Sequence, residues 1–316
     1  MGSDKRTLLL IDGHALLYRS FHAFPDLTDP QGRLVNAVYG FSRLMLRSIL
    51  DFQPEYVAVM FDHRAPTFRH EQFDQYKAHR EEMPDGLKTQ VQLVKDLVKV
   101  LNIPQYEMAG YEADDLIGTV TCQAEALAQK DDVLDRTVVM TGDSDLLQLA
   151  TDFTQIYIPK RGKFGKDKLY FPKDVVEKYG VTPKVLPQLK ALTGDSSDNI
   201  PGVPGVGPKT ARKIFEHIQS IKELYEVLDT DPDGLQKAVS QKVKQSLLDN
   251  RENAQMSLEL ATIECQSPFT FDLEACRLKS YNKEEAIAFF KSLAFNSMIR
   301  LLPEDEFEAG IQSALF

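Results

Sequence analysis

Cysteine is scarce in this 316-residue chain: Cys122, Cys265 and Cys276 are odd in number, widely spaced and free of any CxxC pattern. That argues against both a disulfide framework and a zinc site, and the three read as ordinary reduced thiols. Long apolar runs are lacking too. No stretch approaches the roughly 18 residues of a membrane span, and the short run near the N-terminus is interrupted by Asp12, unlike a signal peptide. A cytoplasmic protein with no membrane partner is expected. Met1-Gly2 does not open a myristoylation motif, because Arg6 stands where that motif wants Ser or Thr. The six histidines, His14, His22, His63, His70, His79 and His217, show no HxH or HExxH spacing. There is no internal repeat and no low-complexity tract. Positive charge is in deficit: 37 Lys and Arg against 47 Asp and Glu leave −10, which would ordinarily count against a polyanionic partner.

What is present is a soluble, globular composition, 43% hydrophobic and 27% charged, long enough for about two packed units. Strand-like runs at 7–12, 56–62 and 136–142 alternate with helix-period stretches at Tyr39–Asp51, Leu87–Leu101 and Ala113–Gln129, a βα pattern. From Lys173 onward helix starts recur at Pro172-Lys173-Asp174, Thr182-Pro183 and Pro208-Lys209-Thr210, each with proline near a first turn. Asp229–Gly234 reads as a polar loop and Tyr281–Phe290 as a late amphipathic helix. The expected organisation is an α/β unit over 1–172, a helical unit over 173–275, and a tail or linker over 276–316.

The acids are not scattered. Leu8–Ile11, Tyr56–Phe61 and Thr137–Met140 end at or just before aspartates, placing Asp12, Asp62 and the pair Asp143/Asp145 at strand C-termini. In an open parallel sheet that edge is where ligands bind, so acids delivered by three strands can converge on an ion cluster. In GYEADDLIG, residues 110–118, Glu112 and Asp115 share a helix face with Asp114 beside them. Taken alone, this cluster reads equally as acids complementing a helix dipole. GDSD at 142–145 alone reads as a turn with an N-cap.

A third cluster, TGDSSDNIPGVPGVGPKTARKIF at 193–215, places Asp195 and Asp198 three apart and follows them with a glycine-rich hairpin and a basic helix. The two acids can offer oxygens to a hard cation. The turn over Gly202, Gly205 and Gly207 leaves backbone N–H groups to face a phosphate, with Lys209, Thr210, Arg212 and Lys213 on the helix behind it. The bland alternative is a plain helix–turn–helix corner.

The set LLIDG, VMFD, YKAHR, YEADD, TGDSD and GDSSDNIPGVPGVGPKTA, in this order from about residue 7 to about 270, resembles the 5′-nuclease domains of bacterial DNA polymerase I. More broadly it is similar to the flap endonuclease superfamily. The resemblance implies a PIN-like, mainly parallel sheet flanked by helices. It also implies a helical arch at about 70–100 and a helix-three-turn-helix module gripping duplex DNA. It implies that Asp12, Asp62, Glu112, Asp114, Asp115, Asp143, Asp145, Asp195 and Asp198 form a carboxylate cluster holding two or more divalent ions. The expected activity is structure-specific 5′ hydrolysis at flaps, nicks and 5′ ends of DNA, and of RNA primers, in bacterial replication and repair. FNSMIRLLP resembles the segment leading toward the next domain of such polymerases, so a polymerase domain in the same parent chain is an expected partner.

The chemistry can be argued without the resemblance. Phosphodiester hydrolysis needs a hydroxide nucleophile, stabilisation of added phosphoryl charge and help for a departing alkoxide, and two ions about 4 Å apart supply all three. Oxygen-only ligands favour Mg²⁺ or Mn²⁺ over zinc. A monovalent cation at the 202–207 hairpin is a further expectation. Two divalent ions leave about five of nine carboxylate charges uncompensated, so some pKa values should rise in the ion-free protein. Positive side chains must therefore enter the site. Lys77 and Arg80, three apart on a predicted helix, and Arg19 in LLYRS are the candidates. By the resemblance, the arch basic residues neutralise the scissile phosphate and Tyr76 stacks on a base near the cut. A basic run at 160–168 reads as a hairpin tip that either contacts DNA or is plain surface, and Lys237, Lys242 and Lys244 are similarly open. A Mg²⁺-dependent phosphatase is the rival from another class, but the first strand ends Ile-Asp-Gly-His without a paired DxD. A non-catalytic junction binder has no use for the full acid set. The chain is expected to act as a monomer.

Overall fold

The computed structural model describes residues 5–159, 167–231, 235, 239–278 and 281–303. Its centre is one six-stranded sheet in the order β3-β2-β1-β4-β5-β6. The strands are β1 (Thr7–Asp12), β2 (Tyr56–Met60), β3 (Gln105–Tyr106), β4 (Arg136–Met140), β5 (Thr154–Ile158) and β6 (Lys168–Tyr170). Strands β1 to β5 are parallel and β6 returns antiparallel to β5. Every residue of β1 and β2 is buried, as parallel strands covered on both faces require. The strand order reverses between β1 and β4, so the crevice beyond their carboxyl ends lies at the topological switch point of the sheet.

Helices α1 (Gly13–Ala23), α2 (Asn36–Phe52), α3 (Phe68–Gln72), α4 (Asp85–Val100) and α5 (Ala113–Asp131) accompany the sheet. A helical unit follows, with α6 (Pro172–Tyr179), α7 (Leu186–Thr193), α8 (Pro208–Phe215), α9 (Ile221–Thr230), α10 (Gln241–Asp249) and α11 (Arg251–Ala261), and α12 (Lys283–Ser292) closes the described chain. One face of the sheet contributes Leu8, Leu10 and Ala58 to a core that runs through Ile117 and Val120 of α5 into Leu189, Ile214 and Leu247 of the helical unit. The opposite face packs Leu9, Ile11 and Val57 against Phe41, Leu97 and Phe290. The helical unit is thus welded to the sheet by a shared apolar core.

Two expectations are corrected. Residues 276–316 are not simply a tail: Ala286, Phe290, Leu293, Phe295 and Met298 are buried against α2 and α4, because the amphipathic stretch covers the apolar flank of those helices. Tyr76, Lys77 and Arg80 do not ride on a helix. They lie in turns between α3 and α4, with Lys77 at φ 55°, a left-handed conformation that no α-helix accepts. Of the basic run at 160–168, residues 160–166 lie outside the described residues, while Lys168 stands in β6, 3.0 Å from Asp174 Oδ1, where β5 and β6 pair antiparallel as a hairpin would. Part of the loop at Asp229–Gly234 and Lys237 lie outside them as well.

Candidate active site

The acids that follow β1, β2 and β4 and open α5 each carry a local structural duty. Asp12 ends β1 and caps α1, where its Oδ1 accepts from Ala15 N at 3.0 Å. Its Oδ2 accepts from the Thr141 hydroxyl at 2.7 Å, and Thr141 Oγ1 in turn accepts from Asp143 N at 2.9 Å. Asp62 follows β2 and accepts from Ala113 N, the first residue of α5, at 2.8 Å. Glu112 is the N-cap of α5, with Asp114 and Asp115 in its first turn, where carboxylates complement the positive end of the helix dipole. Asp145 opens a short 3-10 turn over 145–149 after β4.

Eight of the nine acids divide into four sets according to the charges that face them. Asp12, Asp62, Asp114 and Asp143 act on one another by like-charge repulsion. Asp145 and Asp195 share the ammonium of Lys190, which pairs with Asp145 Oδ1 and lies 2.6 Å from Asp195 Oδ2. Glu112 accepts from Lys77 Nζ through both oxygens at 2.8 Å. Asp198 pairs with Arg80 and lies 3.8 Å from Lys77 Nζ. Asp115 is the exception. Fully buried, it meets Arg69 through two 2.8 Å bonds and also accepts from Glu112 N at 3.0 Å and Glu264 N at 2.9 Å. Four donors saturate its lone pairs, which gives Asp115 a structural duty in this fold.

The first set carries the strain. Burial, then repulsion by Asp62 and Asp143, push Asp12 up to about 7. Asp114 is raised well above the carboxylate range by burial and by Asp12, Asp143 and Glu112, with Lys77 pulling the other way. Asp145 is pushed to about 7 by burial and Asp143 in spite of Lys190. Burial also opposes ionisation of Asp195, but the charge and hydrogen bond of Lys190, with Ser197, hold it down to about 2. Buried oxygen donors that repel one another are what a hard multivalent cation relieves, so the donor set fits divalent ions. Among the described residues no three acidic, histidine or cysteine side chains already close around a common point. His14 Nδ1 accepts from Asp62 N at 2.9 Å, and burial lowers its pKa, so it stands as a neutral prop beside the acids.

The segment expected to form the arch leans on the acids it was expected to face. Lys77 N donates to Asp198 O at 3.0 Å, Arg80 Nε to Ser197 O at 3.3 Å and Asn199 Nδ2 to Gln75 O at 2.7 Å. Tyr76, 3% exposed, donates to Glu112 and Asp198 at 3.3 Å each, so its ring presents no free face for a base in this conformation. Arg19 donates to the carbonyl of Pro159 beyond β5. A cleft of about 350 Å³ opens beside Asp62 and Glu112, lined also by His63, Arg64, Lys77 and Arg80.

Between α7 and α8 the chain turns through a hairpin. Gly194 and Gly202 have positive φ, and a Cβ on Gly202 would stand 2.2 Å from Gly194 N, so only glycine lets the two backbones meet. The hairpin is less open than expected: Gly202 N donates to the Ser257 hydroxyl at 3.2 Å and Val203 N to Leu192 O at 2.9 Å. The Val203 carbonyl accepts from Val206 N at 3.1 Å and the Pro204 carbonyl from the Ser246 hydroxyl of α10 at 2.6 Å. Gly205 and Gly207 are exposed, as are Lys209 and Lys213 on α8, while Thr210 and Arg212 are half-buried. The Arg212 side chain packs against Gly180 at the end of α6, with its Nε buried.

Arg69, Lys190 and Thr141 escaped the sequence reading. Lys190 lies five residues before Asp195 on α7, so only the fold carries it to Asp145. Arg69 had a neighbouring signal in FRHEQ, but nothing local marks it as buried.

Residues 7–180 match the 5′-3′ exonuclease N-terminal resolvase-like domain and residues 181–284 match the 5′-3′ exonuclease C-terminal SAM fold. DNA polymerase I of Bacillus subtilis strain 168 is 40% identical over 99% of this chain and 34% of its own length. Thermostable DNA polymerase I of Thermus filiformis is 38% identical over 93% of the chain and 33% of its own length. The chain therefore spans about a third of these curated relatives. T5 5′-exonuclease bound to divalent metal ions (zinc) superposes with a TM-score of 0.64 at 22% identity, covering 92% of this chain and 98% of that one. The catalytic core of Rad2 in complex with DNA substrate gives 0.57 at 17% identity, covering 95% and 92%. With both halves of its fold matched in order, the chain belongs to the 5′-3′ exonuclease family.

Proposed function

We propose that this chain is a structure-specific 5′ nuclease that hydrolyses phosphodiester bonds at 5′ flaps, nicks and 5′ ends of DNA and RNA primers in replication and repair. Its cofactors in this reading are two or more Mg²⁺ or Mn²⁺ ions. The observation that carries it is the crowding of Asp12, Asp114 and Asp143 at the sheet switch point, beside a cleft that Lys77 and Arg80 line. When bound, the ions supply a nucleophile at neutral pH and stabilise the charge of the phosphoryl group and leaving oxygen. Asp12, Asp62, Asp114 and Asp143 would hold one ion and Asp145 and Asp195 another, with Glu112 and Asp198 at the margin.

Lys77 and Arg80 are paired with Glu112 and Asp198 at rest and exchange those carboxylates for the scissile phosphate, keeping its added charge out of water. Arg19 stands at the same sheet edge for the outgoing strand. Tyr76 stacks on a base once residues 73–80 part from residues 195–200. Gly205, Gly207, Lys209, Thr210 and Lys213 meet duplex phosphates, and Gly202 and Arg212 hold that surface in shape. The share of the relatives' length that this chain spans supports a polymerase domain in the same parent chain.

The test compares a 5′-flap duplex with a phosphorylated small molecule, each with Mg²⁺, Mn²⁺ or a chelator. Ion-dependent cleavage of the flap alone supports the reading. Hydrolysis of the small molecule alone, or flap cleavage undiminished in chelator, overturns it.

A further inference from the structure

The cysteines at 122 and 265, 143 positions apart in the sequence, meet on the surface of α5. Asp115, Thr119 and Gln123, successive turns of one stripe, clamp the chain that leaves α11. Asp115 accepts from Glu264 N at 2.9 Å, Thr119 Oγ1 lies 2.8 Å from Ser267 Oγ and accepts from Ser267 N at 3.1 Å. Gln123 donates to Phe269 O at 2.9 Å and accepts from Phe271 N at 3.0 Å. Cys265 lies inside this clamp.

On the neighbouring stripe, Gly118 makes room for the incoming chain. A Cβ there would stand 2.6 Å from Ile263 Cγ2 and 3.4 Å from Cys265 Sγ. Cys122 is one helical turn further along the same stripe, next in line to the Cys265 thiol that Gly118 admits. Cys122 is exposed and Cys265 partly so. The third cysteine differs: Cys276 is buried with its Sγ 3.6 Å from the Tyr106 hydroxyl.

We propose that Cys122 and Cys265 form a dithiol site that exchanges with low-molecular-weight disulfides and closes an intramolecular disulfide between α5 and residues 263–267. The Cys265 thiol holds Cys122 down to about 7, against burial and the nearby Glu125 and Glu264, so a thiolate is present at neutral pH as the attacking group. That thiolate attacks one sulfur of a disulfide RSSR, its S–S bond breaks and RS⁻ leaves, giving a mixed disulfide on Cys122. Cys265 then loses its proton to solvent and attacks the Cys122 sulfur, expelling the second RS⁻. Two protein thiols are oxidised and one RSSR is reduced to two thiols. The clamp holds the partners together, so the second step is intramolecular and outruns release of the adduct.

The test incubates the full chain with glutathione disulfide, then counts thiols after denaturation and measures the intact mass. The expected result is a fall from three thiols to one with no glutathione retained. Cys265→Ser should keep one glutathione on Cys122, and Cys265→Ala serves if serine disturbs the fold. Cys122→Ser should keep both remaining thiols free. A stable glutathione adduct on the unmodified chain, or three intact thiols under conditions that modify Cys265→Ser, would overturn the proposal.

Discussion

Arg69 and Asp115 face each other through paired 2.8 Å hydrogen bonds, with side chains only 3% and 0% exposed. Arg69 also donates to the carbonyls of Leu260 at 3.0 Å and Thr262 at 2.7 Å. A single ion pair therefore ties α3, the acid-bearing end of α5 and the end of α11 together.

Asp115→Ala leaves that guanidinium buried without its partner, which costs about 3–5 kcal/mol. Urea unfolding in chelator should show this loss, whereas Asp143→Ala, which removes a like-charge neighbour, should leave the metal-free protein equally or more stable. Equal destabilisation by the two would contradict the division of the acids.

Lys190 neutralises Asp145 and Asp195 where an ion is expected. Lys190→Met should lower ion-free stability by about 1.5–3 kcal/mol, the worth of charged hydrogen bonds. The thermal shift on adding Mn²⁺ should then exceed that of the unmodified protein, because the ion restores more. An unchanged shift would remove Lys190 from the site.

Lys77 bonds both oxygens of Glu112 and is held protonated by its acidic neighbours, against burial. Lys77→Ala should slow single-turnover flap cleavage at saturating enzyme by about a hundredfold or more, with affinity changed far less. A loss confined to affinity would make Lys77 a binding residue only.

Stability of the metal-free protein should fall as pH rises from about 4 to 7. Asp12 and Asp145, ordinarily near 3.8, are raised to about 7, and Asp114 is raised as well. A raised acid stabilises the fold below its ordinary pKa, and that contribution is lost as pH climbs through the raised one. Burial lowers His14 and opposes this trend with one group against three. Below about 4 stability should fall again as Asp195, held near 2, protonates. Thermal melts in chelator should peak on the acid side of melts with Mg²⁺; coincident peaks would contradict the repulsion.

Lys209 and Lys213 are exposed on α8. Replacing both by alanine should weaken duplex binding and reduce its salt slope by about 0.9 for each phosphate no longer neutralised. An unchanged slope would place the duplex elsewhere.

The sheet was legible in the sequence because β1, β2 and β4 are buried on both faces and read as unbroken apolar runs ending in acids. The acid positions were legible for the same reason, since strand ends and helix first turns are local features. What neutralises Asp115, Asp145 and Asp195 was not, because Arg69 and Lys190 acquire their roles through contacts between distant segments. The turn at Lys77 escaped because 73–80 is shaped by bonds to residues 195–200 rather than by its own periodicity. The packing of 281–303 escaped because an amphipathic helix does not announce which apolar surface it will cover.

The most direct measurement is anomalous scattering from crystals soaked in Mn²⁺. One peak is expected among Asp12, Asp62, Asp114 and Asp143, a second beside Asp145 and Asp195, and none touching Asp115. Manganese bound to Asp115, or absent from the first four carboxylates, would contradict this assignment of the ions.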